Sequence, residues 1–358
     1  MTTKKLRVGV LGATGTVGQR LIQLLENHPW FEVGAIAASD RSVGKTFQQA
    51  CPWKISGPIP EYIRDHPLKE CEPNLPVDLV FSGLPSSIAG QVEIDFARAG
   101  YPVLSNSRNH RMEEDVPLLV PEINPSHLAL IPIQRQKQEY SSGYIITNPN
   151  CTTMALVMAL APLQQCFGLE QVNVVTMQAL SGAGYPGVAS LDIIDNVLPY
   201  IDGEEEKIET EPLKILGEYQ AGKVILANFK ISAQCHRVNV QDGHLEAVSV
   251  SFRHCPPQHQ LVEALSSFSS LPQELNLPSA PRFPIVYLEG ADRPQPRLDR
   301  YMEKGMATVV GRLRPCSIFD YKFDLLGHNT IRGAAGATLL NAELIWNKGM
   351  LQSLQSPK

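Results

Sequence analysis

The sequence lacks the features of a membrane protein, a nucleic-acid-binding protein, and a metal or disulfide scaffold. Its seven cysteines are dispersed and include no CxxC pair, so neither a zinc ribbon nor a dithiol centre is predicted. No apolar run approaches the roughly 20 residues that a transmembrane helix needs. Acidic residues (36) outnumber basic ones (31), and no basic block would collect nucleic acid. We therefore expect a cytoplasmic protein with reduced thiols, no metal site, and neither a membrane nor a nucleic acid as partner.

The first distinctive feature that is present is a glycine-rich turn between a buried strand and a helix. Leu6–Leu11 is predicted as the strand, Gly12–Gly18 (GATGTVG) as the turn, and Gln19–Leu25 has apolar residues at helical spacing. Such a turn holds a pyrophosphate at the N-terminus of the helix, because its glycines let the backbone approach the ligand. The predicted contacts with a dinucleotide are Gly12, Thr14, Gly15, Thr16 and Val17.

The end of the second predicted strand bears on the identity of the cofactor. Phe31–Ala38 is followed by Ser39, Asp40, Arg41 and Ser42. An acid at this position contacts the ribose hydroxyls of NAD, whereas serines and an arginine suit the 2′-phosphate of NADP. Asp40 leaves NAD open, but the other three residues favour NADP.

Two further apolar segments complete the prediction of a doubly wound parallel sheet. Val77–Phe81 and Tyr101–Leu104 are short strands that each end in small polar residues, among them Ser82. Ligands of such sheets bind beyond the carboxyl ends of the strands, so Ser82 is a predicted cofactor contact. The Pro-rich segment between residues 52 and 76 is interpreted as surface structure without assigned chemistry.

One cysteine has a sequence context that favours chemistry. Asn148–Thr153 (NPNCTT) follows the strand-like Tyr144–Thr147 and opens the apolar run Met154–Ala161, which predicts a helix that begins near Cys151. At a helix N-terminus the macrodipole stabilises a thiolate and lowers the pKa of the thiol. A free cysteine is also often a small buried apolar residue, so position alone does not decide between the two interpretations.

The second half carries candidate partners for this thiol. Gln171–Leu180 is a predicted strand that runs into Ser181-Gly-Ala-Gly184, so Gln178 and this loop are placed to face Cys151. Further on, Lys230–Val240 and His244–Phe252 are alternating runs on either side of Asp242-Gly243. This pattern predicts a β-hairpin that presents Arg237 and His244 at one end of a sheet.

The combined motifs resemble those of the aspartate-β-semialdehyde dehydrogenase family, over essentially the whole chain. They are, in order, GATGTVG, AASDRS, NPNCTT, QALSGAG, CHRVNVQDGH and NTIRGAAGA. Cys51-Pro-Trp53 and Asn106–Arg111 resemble the archaeal and fungal branch. The resemblance implies an NADP-dependent, reversible conversion of aspartate semialdehyde and phosphate to β-aspartyl phosphate through a cysteine thioester. It also implies a place in lysine, threonine and methionine biosynthesis.

The resemblance implies roles for individual residues. In the chemical step, Cys151 is the nucleophile, His244 the general acid/base, and Gln178 orients the covalent intermediate. Backbone N–H groups near Asn150 and Cys151 are expected to stabilise the oxyanion. The remaining implied contacts are Arg237 to the substrate carboxylate, Glu204 to its amine, Arg111 and Lys207 to phosphate, and Ser181, Gly182 and Asn329 to nicotinamide. Three adjacent glutamates leave Glu205 or Glu206 open as the amine contact.

A chain of 358 residues is too long for one ordinary core, so two domains are expected. Residues 1–150 are predicted as a Rossmann-like dinucleotide-binding domain, and residues 151–325 as an α+β catalytic and oligomerisation domain with an antiparallel sheet. Residues 326–358 are predicted to return to the first domain as an amphipathic helix, and Leu271–Pro296 is interpreted as a long connection. The resemblance also implies a homodimer or homotetramer that acts on small molecules.

Two other hypotheses remain open on the sequence. A related acyl reductase, such as malonyl-CoA reductase or N-acetyl-glutamyl-phosphate reductase, shares the cysteine thioester chemistry. The Cys235-His-Arg237 context and the pair Glu204 and Lys207 favour the aspartyl substrate. The second hypothesis is a non-catalytic NADP-binding regulator on the same scaffold. That hypothesis predicts no nucleophile and base, whereas Cys151 and His244 are both present in their motifs.

Overall fold

The computed structural model describes residues 5–351, so the outermost residues of the predicted ranges 1–150 and 326–358 lie outside the described part. The strands are β1 (Leu6–Leu11), β2 (Phe31–Ala37), β3 (Leu68–Lys69), β4 (Leu79–Ser82), β5 (Pro102–Ser105), β6 (Tyr144–Thr147), β7 (Leu169–Gln178), β8 (Glu218–Gln220), β9 (Lys223–Ile225), β10 (Lys230–Arg237), β11 (His244–Phe252), β12 (Ile285–Leu288), β13 (Thr308–Pro315) and β14 (Tyr321–Gly327). The helices are α1 (Thr16–Leu25), α2 (Phe47–Ala50), α3 (Ser86–Arg98), α4 (Leu130–Gln138), α5 (Cys151–Phe167), α6 (Ser190–Ile193), α7 (Glu204–Ile215), α8 (Gln258–Ser266), α9 (Leu271–Glu274), α10 (Pro296–Asp299) and α11 (Gly336–Asn347). None of the helices in the described range combines the length and apolar character that crossing a bilayer requires.

The first six strands form one parallel sheet in the order β3-β2-β1-β4-β5-β6. Four of its strands, β1, β4, β5 and β6, are apolar and almost wholly buried because helices cover both faces, as in other parallel sheets. The strand order reverses between β1 and β4, which is the arrangement of dinucleotide-binding folds and confirms the predicted fold class. The segment between residues 52 and 76 is more than surface structure, because it supplies the edge strand β3.

The second sheet has the order β10-β7-β11-β14-β13-β12 and is mixed, so the expectation of an antiparallel sheet is wrong. β10 pairs with β7 in parallel, and so does β12 with β13, while the other pairings are antiparallel. α5 packs on one face of this sheet, and its apolar side chains lie in the same core as those of β7, β11 and β14. The Pro-rich Leu271–Pro296 stretch is not only a connection, because it contributes α9 and the edge strand β12.

The predicted hairpin between the strands that carry Arg237 and His244 is also wrong. β7 lies between β10 and β11 and pairs with both. The connection over residues 238–243 passes over the end of β7, where Leu180 N–H donates to the Val240 carbonyl and Ser181 N–H donates to the Gln241 carbonyl. An Asp-Gly pair therefore turns the chain across an intervening strand. The ends of β7 and β10 and the start of β11 nevertheless share one edge of the sheet.

The C-terminal helix α11 packs against the first sheet, as predicted. Leu339, Leu340 and Leu344 lie in the same core cluster as Val8 of β1 and Ile36 of β2. The helix is not amphipathic as expected, since its residues 336–345 are all buried between the two halves of the molecule. A single π-helical turn over residues 331–335 leads into it.

Candidate active site

A cavity of about 300 Å³ lies where the segments that follow β1, β4, β5 and β6 meet the end of β7 and the turn before α11. It is lined by Thr16, Val17, Leu84, Ser86, Asn106, Ser107, Arg108, Arg111, Asn150, Cys151, Gln178, Ser181, Gly182, Gly184, Glu204, Lys207, Asn329, Thr330, Gly333 and Ala334. The carboxyl ends of parallel strands meet at one edge of a sheet, which explains why residues so distant in sequence converge here. Most of the predicted site residues are among them.

Cys151 and His244 are brought into contact. Cys151 is the first residue of α5, and Asn150 caps this helix, because its side-chain oxygen accepts the N–H groups of Thr152 and Thr153 at 3.0 and 3.2 Å. His244 is the first residue of β11 and is fully buried. Its Nε2 lies 3.2 Å from the Cys151 sulfur.

The protonation states of this pair differ from the sequence expectation. Burial, and after it the carboxylate of Glu204, raises the pKa of the Cys151 thiol to about 12, so the helix dipole does not prevail as expected. Burial, reinforced by Arg237, lowers the pKa of His244 to about 3, from about 6.5 for a free imidazole. Without ligands, both groups are therefore neutral near pH 7.

A backbone group fixes the tautomer of this imidazole. The Ala179 N–H donates to Nδ1 of His244 at 3.0 Å, so the neutral ring carries its proton on Nε2. The Nε2–H then points at the Cys151 sulfur and favours the thiolate once it forms. Uptake of a further proton would place an N–H on Nδ1 opposite the Ala179 N–H, which agrees with the lowered pKa.

Glu204 is the one of the three adjacent glutamates that reaches the cavity. Its carboxylate accepts both the Asn150 amide, at 2.9 and 3.2 Å, and the Gln178 amide at 3.2 Å, and it pairs with Lys207. Burial alone would raise the pKa of Glu204, but the Lys207 ammonium and these amides outweigh it and lower the pKa. Glu205 instead accepts the Cys235 N–H at 3.0 Å, and Glu206 is exposed.

Arg111 is held at the cavity by an ion pair with a carboxylate that was not predicted from the sequence. Glu211, on α7, accepts the Arg111 guanidinium at 2.8 Å with one oxygen and the Asn150 N–H at 2.6 Å with the other. The Asn150 N–H is therefore not available to an oxyanion, contrary to expectation. The Cys151 N–H remains, because the first N–H groups of a helix have no acceptor within it. The spacing of Glu204, Lys207 and Glu211 along one helix face was the signal that could have revealed Glu211.

Arg237 lies beneath the loop that follows β7. It is 5% exposed and donates through Nη1 to the Ala179 carbonyl at 2.8 Å. A Cβ added to Gly182 would lie 2.8 Å from this Nη1 and 3.0 Å from the His244 ring, so only glycine lets the loop pack so closely. The guanidinium therefore lies next to the thiol and imidazole, at the floor of the cavity rather than on its lining surface.

The glycine turn has the dimensions of a phosphate cradle. A Cβ added to Gly18 would lie 2.3 Å from the Gly12 carbonyl oxygen, and Gly12 has a φ of 73° that favours glycine. Gly15 has more room, with 3.4 Å to the nearest atom, and opens α1 as its N-cap. The Thr14 carbonyl accepts the Gln19 amide at 2.8 Å and so holds the turn against the helix.

The opposite end of the cavity fits a flat polar ring. Ser181, Gly182 and Asn329 line it together with Cys151, and the Asn329 amide donates to the Ser181 hydroxyl at 2.8 Å. Thr16 and Val17, from the start of α1, line the same cavity. The residues present therefore fit one extended dinucleotide that reaches from the glycine turn to the thiol.

The other predicted cofactor residues lie apart from this lining surface. Ser39 and Arg41 are exposed and Ser42 is half-buried, in a short 3₁₀ turn directly after β2. The end of β2 adjoins the glycine turn, because the Ala13 N–H donates to the Ala37 carbonyl. Ser82 is fully buried, and its hydroxyl donates to Glu93 at 2.6 Å rather than facing the cavity.

The turn before α11 holds further residues that sequence reasoning missed. Gly333 packs against Cys151 at the start of α5, since an added Cβ would lie 2.7 Å from the Cys151 Cβ and 3.0 Å from its Cα. Its neighbour Arg332 is 1% exposed and forms two 2.8 Å bonds with the carboxylate of Glu122. No local pattern distinguishes this arginine from a surface residue, because its partner is 210 positions away.

The fold and the site together define a class of protein: a two-part dehydrogenase with a thiol–imidazole pair beside its cofactor cavity. The family model described as "Semialdehyde dehydrogenase, NAD binding domain" matches residues 7–131. A second, described as "Semialdehyde dehydrogenase, dimerisation domain", matches residues 160–332. These two matches cover most of both sheets.

Individual relatives narrow the class to one family. The chain is 51% identical to a protein of Archaeoglobus fulgidus named aspartate-semialdehyde dehydrogenase, over 94% of this chain and 97% of that protein. It is 50% identical to the protein of that name from Schizosaccharomyces pombe, over 96% and 99%. A crystal structure of aspartate semialdehyde dehydrogenase with NADP from Candida albicans matches with a TM-score of 0.89 and 43% identity, over 97% of this chain and all of that one. The chain belongs to the aspartate-semialdehyde dehydrogenase family, as its motifs indicated.

Proposed function

We propose that this protein catalyses the NADP-dependent, reversible conversion of aspartate semialdehyde and inorganic phosphate to β-aspartyl phosphate. The observation that carries the proposal is the 3.2 Å contact between the Cys151 sulfur and His244 Nε2, in a cavity that also contains Arg111 and Lys207. A thiol next to an imidazole serves acyl transfer, and two cations suit a phosphate. The names of the relatives support the choice of substrate.

The proposed cofactor is NADP, which the Candida albicans structure contains. In this chain it would be held by the glycine turn at one end and by Ser181, Gly182 and Asn329 at the other. When bound, its oxidised nicotinamide supplies the acceptor for a hydride. We propose that Ser39, Arg41 and Ser42 contact the 2′-phosphate, since they follow β2 where that strand adjoins the turn.

The proposed first half-reaction forms a thioester on Cys151. The Cys151 thiol first loses its proton to solvent, and the thiolate attacks the aldehyde carbon while the C–O π electrons move to the oxygen. The Cys151 N–H and the His244 Nε2–H can stabilise the oxyanion that results. The electron pair on this oxygen re-forms the C–O double bond as the hydride leaves for the bound nicotinamide, which gives the thioester without release of a further proton. Gln178, whose amide is held by Glu204, orients the acyl group.

The proposed second half-reaction transfers the acyl group to phosphate. A phosphate oxygen attacks the thioester carbon, the new C–O bond forms, and the C–S bond breaks with its electron pair going to sulfur. The Nε2–H of His244 faces this sulfur and stabilises the thiolate. Arg111 and Lys207 bind the phosphate, and Arg237 and Glu204 bind the carboxylate and the ammonium of the substrate.

We further propose how the protein is organised. Residues 1–150 would hold the cofactor, with residues 326–358 packing back on them, and residues 151–325 would carry the catalytic residues and the oligomer interface. The match of residues 160–332 to a dimerisation domain supports a homodimer or homotetramer. All seven cysteines are free thiols, which supports a cytoplasmic location.

The decisive experiment is an assay of NADPH formation from aspartate semialdehyde with and without inorganic phosphate. We expect turnover that requires phosphate in the wild type and is abolished in Cys151→Ala, with NADP binding retained in the variant. Malonyl-CoA reduction with NADPH serves as the competing reaction. A clear preference for malonyl-CoA would refute the proposed substrate, and phosphate-dependent turnover that survives Cys151→Ala would refute the proposed nucleophile.

A further inference from the structure

A second cavity opens next to the active-site cavity, at the N-terminal ends of α3 and α7. It is lined by Ser86, Ser87, Arg108, Asn109, Arg111, Met112, Gly203, Glu206, Lys207, Thr210 and Glu211. We call it the outer cavity. Four of these residues also line the active-site cavity, namely Ser86, Arg108, Arg111 and Lys207. The two cavities therefore meet at a strip in which three of four residues are cations.

Two of these three cations are already neutralised by buried carboxylates. Arg111 forms a 2.8 Å ion pair with Glu211, whose side chain is 1% exposed. Lys207 pairs with Glu204, which the structure also buries. These four groups carry no net charge together, so they offer little long-range attraction to an incoming dianion.

Arg108 differs from its two neighbours. It is exposed, and within residues 5–351 no acid forms an ion pair with its guanidinium. Its Nη1 lies close to Gly203, the N-cap of α7, because a Cβ added there would be 3.4 Å away. The positive charge of the Arg108 guanidinium at the strip is therefore not balanced by an ion pair. The one unpaired acid on the outer cavity, Glu206, does not line the active-site cavity.

The strip lies away from the residues that are proposed to hold the cofactor. Two residues of the glycine turn, Thr16 and Val17, line the active-site cavity and not the outer one, and so do Ser181, Gly182 and Asn329. A ligand that arrives through the outer cavity thus reaches Cys151 without crossing the cofactor site. Phosphate has to reach the thioester after the hydride has left, so a route that does not cross the cofactor site does not require release of the cofactor first.

We propose that the outer cavity is the access route of inorganic phosphate and that Arg108 is its first binding residue, ahead of Arg111 and Lys207. The inference rests on the phosphate-dependent reaction proposed above. Its basis is that Arg108 is the unpaired cation of the strip that joins the two cavities. Arg108 attracts the dianion, which then passes to Arg111 and Lys207 in the active-site cavity.

The test compares Arg108→Gln and Arg108→Lys with the wild-type enzyme. We expect Arg108→Gln to raise the KM for phosphate about tenfold, while kcat and the KM values for aspartate semialdehyde and NADP stay within about twofold. Arg108→Lys keeps the charge and should raise the KM for phosphate only about threefold. Added salt should weaken phosphate use in the wild type more than in Arg108→Gln, because the exposed charge is screened.

Two further variants serve as matched controls. Arg98→Gln removes an exposed arginine at the far end of α3, about 18 Å along the helix from Ser86, and should leave all constants unchanged. Glu206→Gln removes the acid on the outer wall and should lower the KM for phosphate. A KM for phosphate within about twofold of wild type in Arg108→Gln, or an equal rise in the KM for the aldehyde, would overturn the proposal.

A direct binding measurement separates this inference from the proposed function. Titration of inorganic phosphate into the enzyme, followed by calorimetry, should show weaker binding in Arg108→Gln than in the wild type and in Arg98→Gln. Equal binding in all three proteins, with phosphate-dependent turnover intact, would remove Arg108 from the route and leave the function standing. A wild-type enzyme that binds phosphate at Arg108 but turns over without it would instead refute the function.

Discussion

The glycine turn and the active-site cavity differ in what determines their shape. The turn is continuous in sequence, spans residues 12–18, and owes its shape to backbone atoms in close contact. The cavity is assembled from segments far apart, for example Arg111 and Glu211, which are 100 positions apart. Its shape depends on buried charges that hold one another in place. The turn is therefore sensitive to added atoms, and the cavity is sensitive to lost charge.

This difference explains why α7 matters more than its exposed sequence suggests. Glu204 holds the amides of Asn150 and Gln178, and Glu211 holds the Asn150 N–H and Arg111. One helix thus positions the cap of the Cys151 helix from two sides. Removing Glu211 leaves the buried Arg111 without its counterion, which is more costly than the loss of the contact itself.

The largest effect is expected for Glu211→Gln. The substitution leaves the buried Arg111 without its acid, and breaking a buried pair of this kind destabilises a protein by about 3–5 kcal/mol. Urea unfolding should show this loss, and kcat should fall because the backbone before Cys151 loses a charged anchor. Glu206→Gln on the same helix removes an exposed acid and should change the free energy of unfolding by less than about 0.5 kcal/mol. Equal stability of the two variants would mean that the network does not hold the cavity together.

The second-largest effect on stability is expected at Gly18 of the turn, with Gly15 as its comparison. Gly18→Ala places a Cβ 2.3 Å from the Gly12 carbonyl oxygen and 2.7 Å from the Ala13 Cα, so it should destabilise the protein by about 2 kcal/mol. Gly15→Ala meets nothing closer than 3.4 Å and should leave the unfolding midpoint nearly unchanged. We expect Gly15→Ala to raise the KM for NADP instead, because its methyl group lies where the pyrophosphate would approach. Thermal unfolding and NADP titration of both variants distinguish the two roles.

The same contrast decides how much could be predicted from the sequence. The first sheet and its turn were predictable except for the two-residue edge strand β3, because the other strands and the glycine turn each have their own local pattern. The pairing of β10 and β11 was not, because Asp242-Gly243 is a hairpin signal whether or not another strand intervenes. β7, which does intervene, is more than 50 positions upstream of that turn. The alternating pattern of a strand does not show which other strand it pairs with.

The electrostatics of the thiol could not be predicted for a related reason. The position of Cys151 at a helix N-terminus was correctly inferred from the pattern around Pro149 and Asn150. The helix dipole is a modest effect that falls off with solvent screening, whereas full burial shifts the pKa of a charged group by several units. Neither the burial of Cys151 nor the approach of Glu204 is visible in the sequence.

A third prediction tests this electrostatic account. Glu204 raises the pKa of Cys151, while Lys207 lowers it. Glu204→Gln should therefore lower the pKa of the thiol, because the negative charge is removed and the charge of Lys207 is no longer balanced by its acid. Since only the thiolate is alkylated, iodoacetamide should label Cys151 about tenfold faster at pH 8 in this variant than in the wild type. The wild-type rate should rise with pH up to at least pH 10 without a plateau, because the thiol pKa is about 12. Slower labelling in Glu204→Gln would show that the carboxylate acts on Cys151 mainly through structure.

The smallest effect belongs to the exposed rim of the cofactor half, where neither close backbone packing nor burial strengthens a contact. Arg41 is exposed in the turn after β2, and an exposed charge contact contributes up to about 1 kcal/mol, so Arg41→Ala should weaken NADP binding about fivefold. NAD has no 2′-phosphate, and its affinity should not change. Arg64→Ala, at another surface arginine of the same half, should affect neither cofactor. Titration of NADP and NAD into the three proteins measures this, and an equal loss for both cofactors in Arg41→Ala would place Arg41 away from the 2′-phosphate. In that event the selectivity would have to come from Ser39 and Ser42, whose hydroxyls can reach a phosphate oxygen but carry no charge.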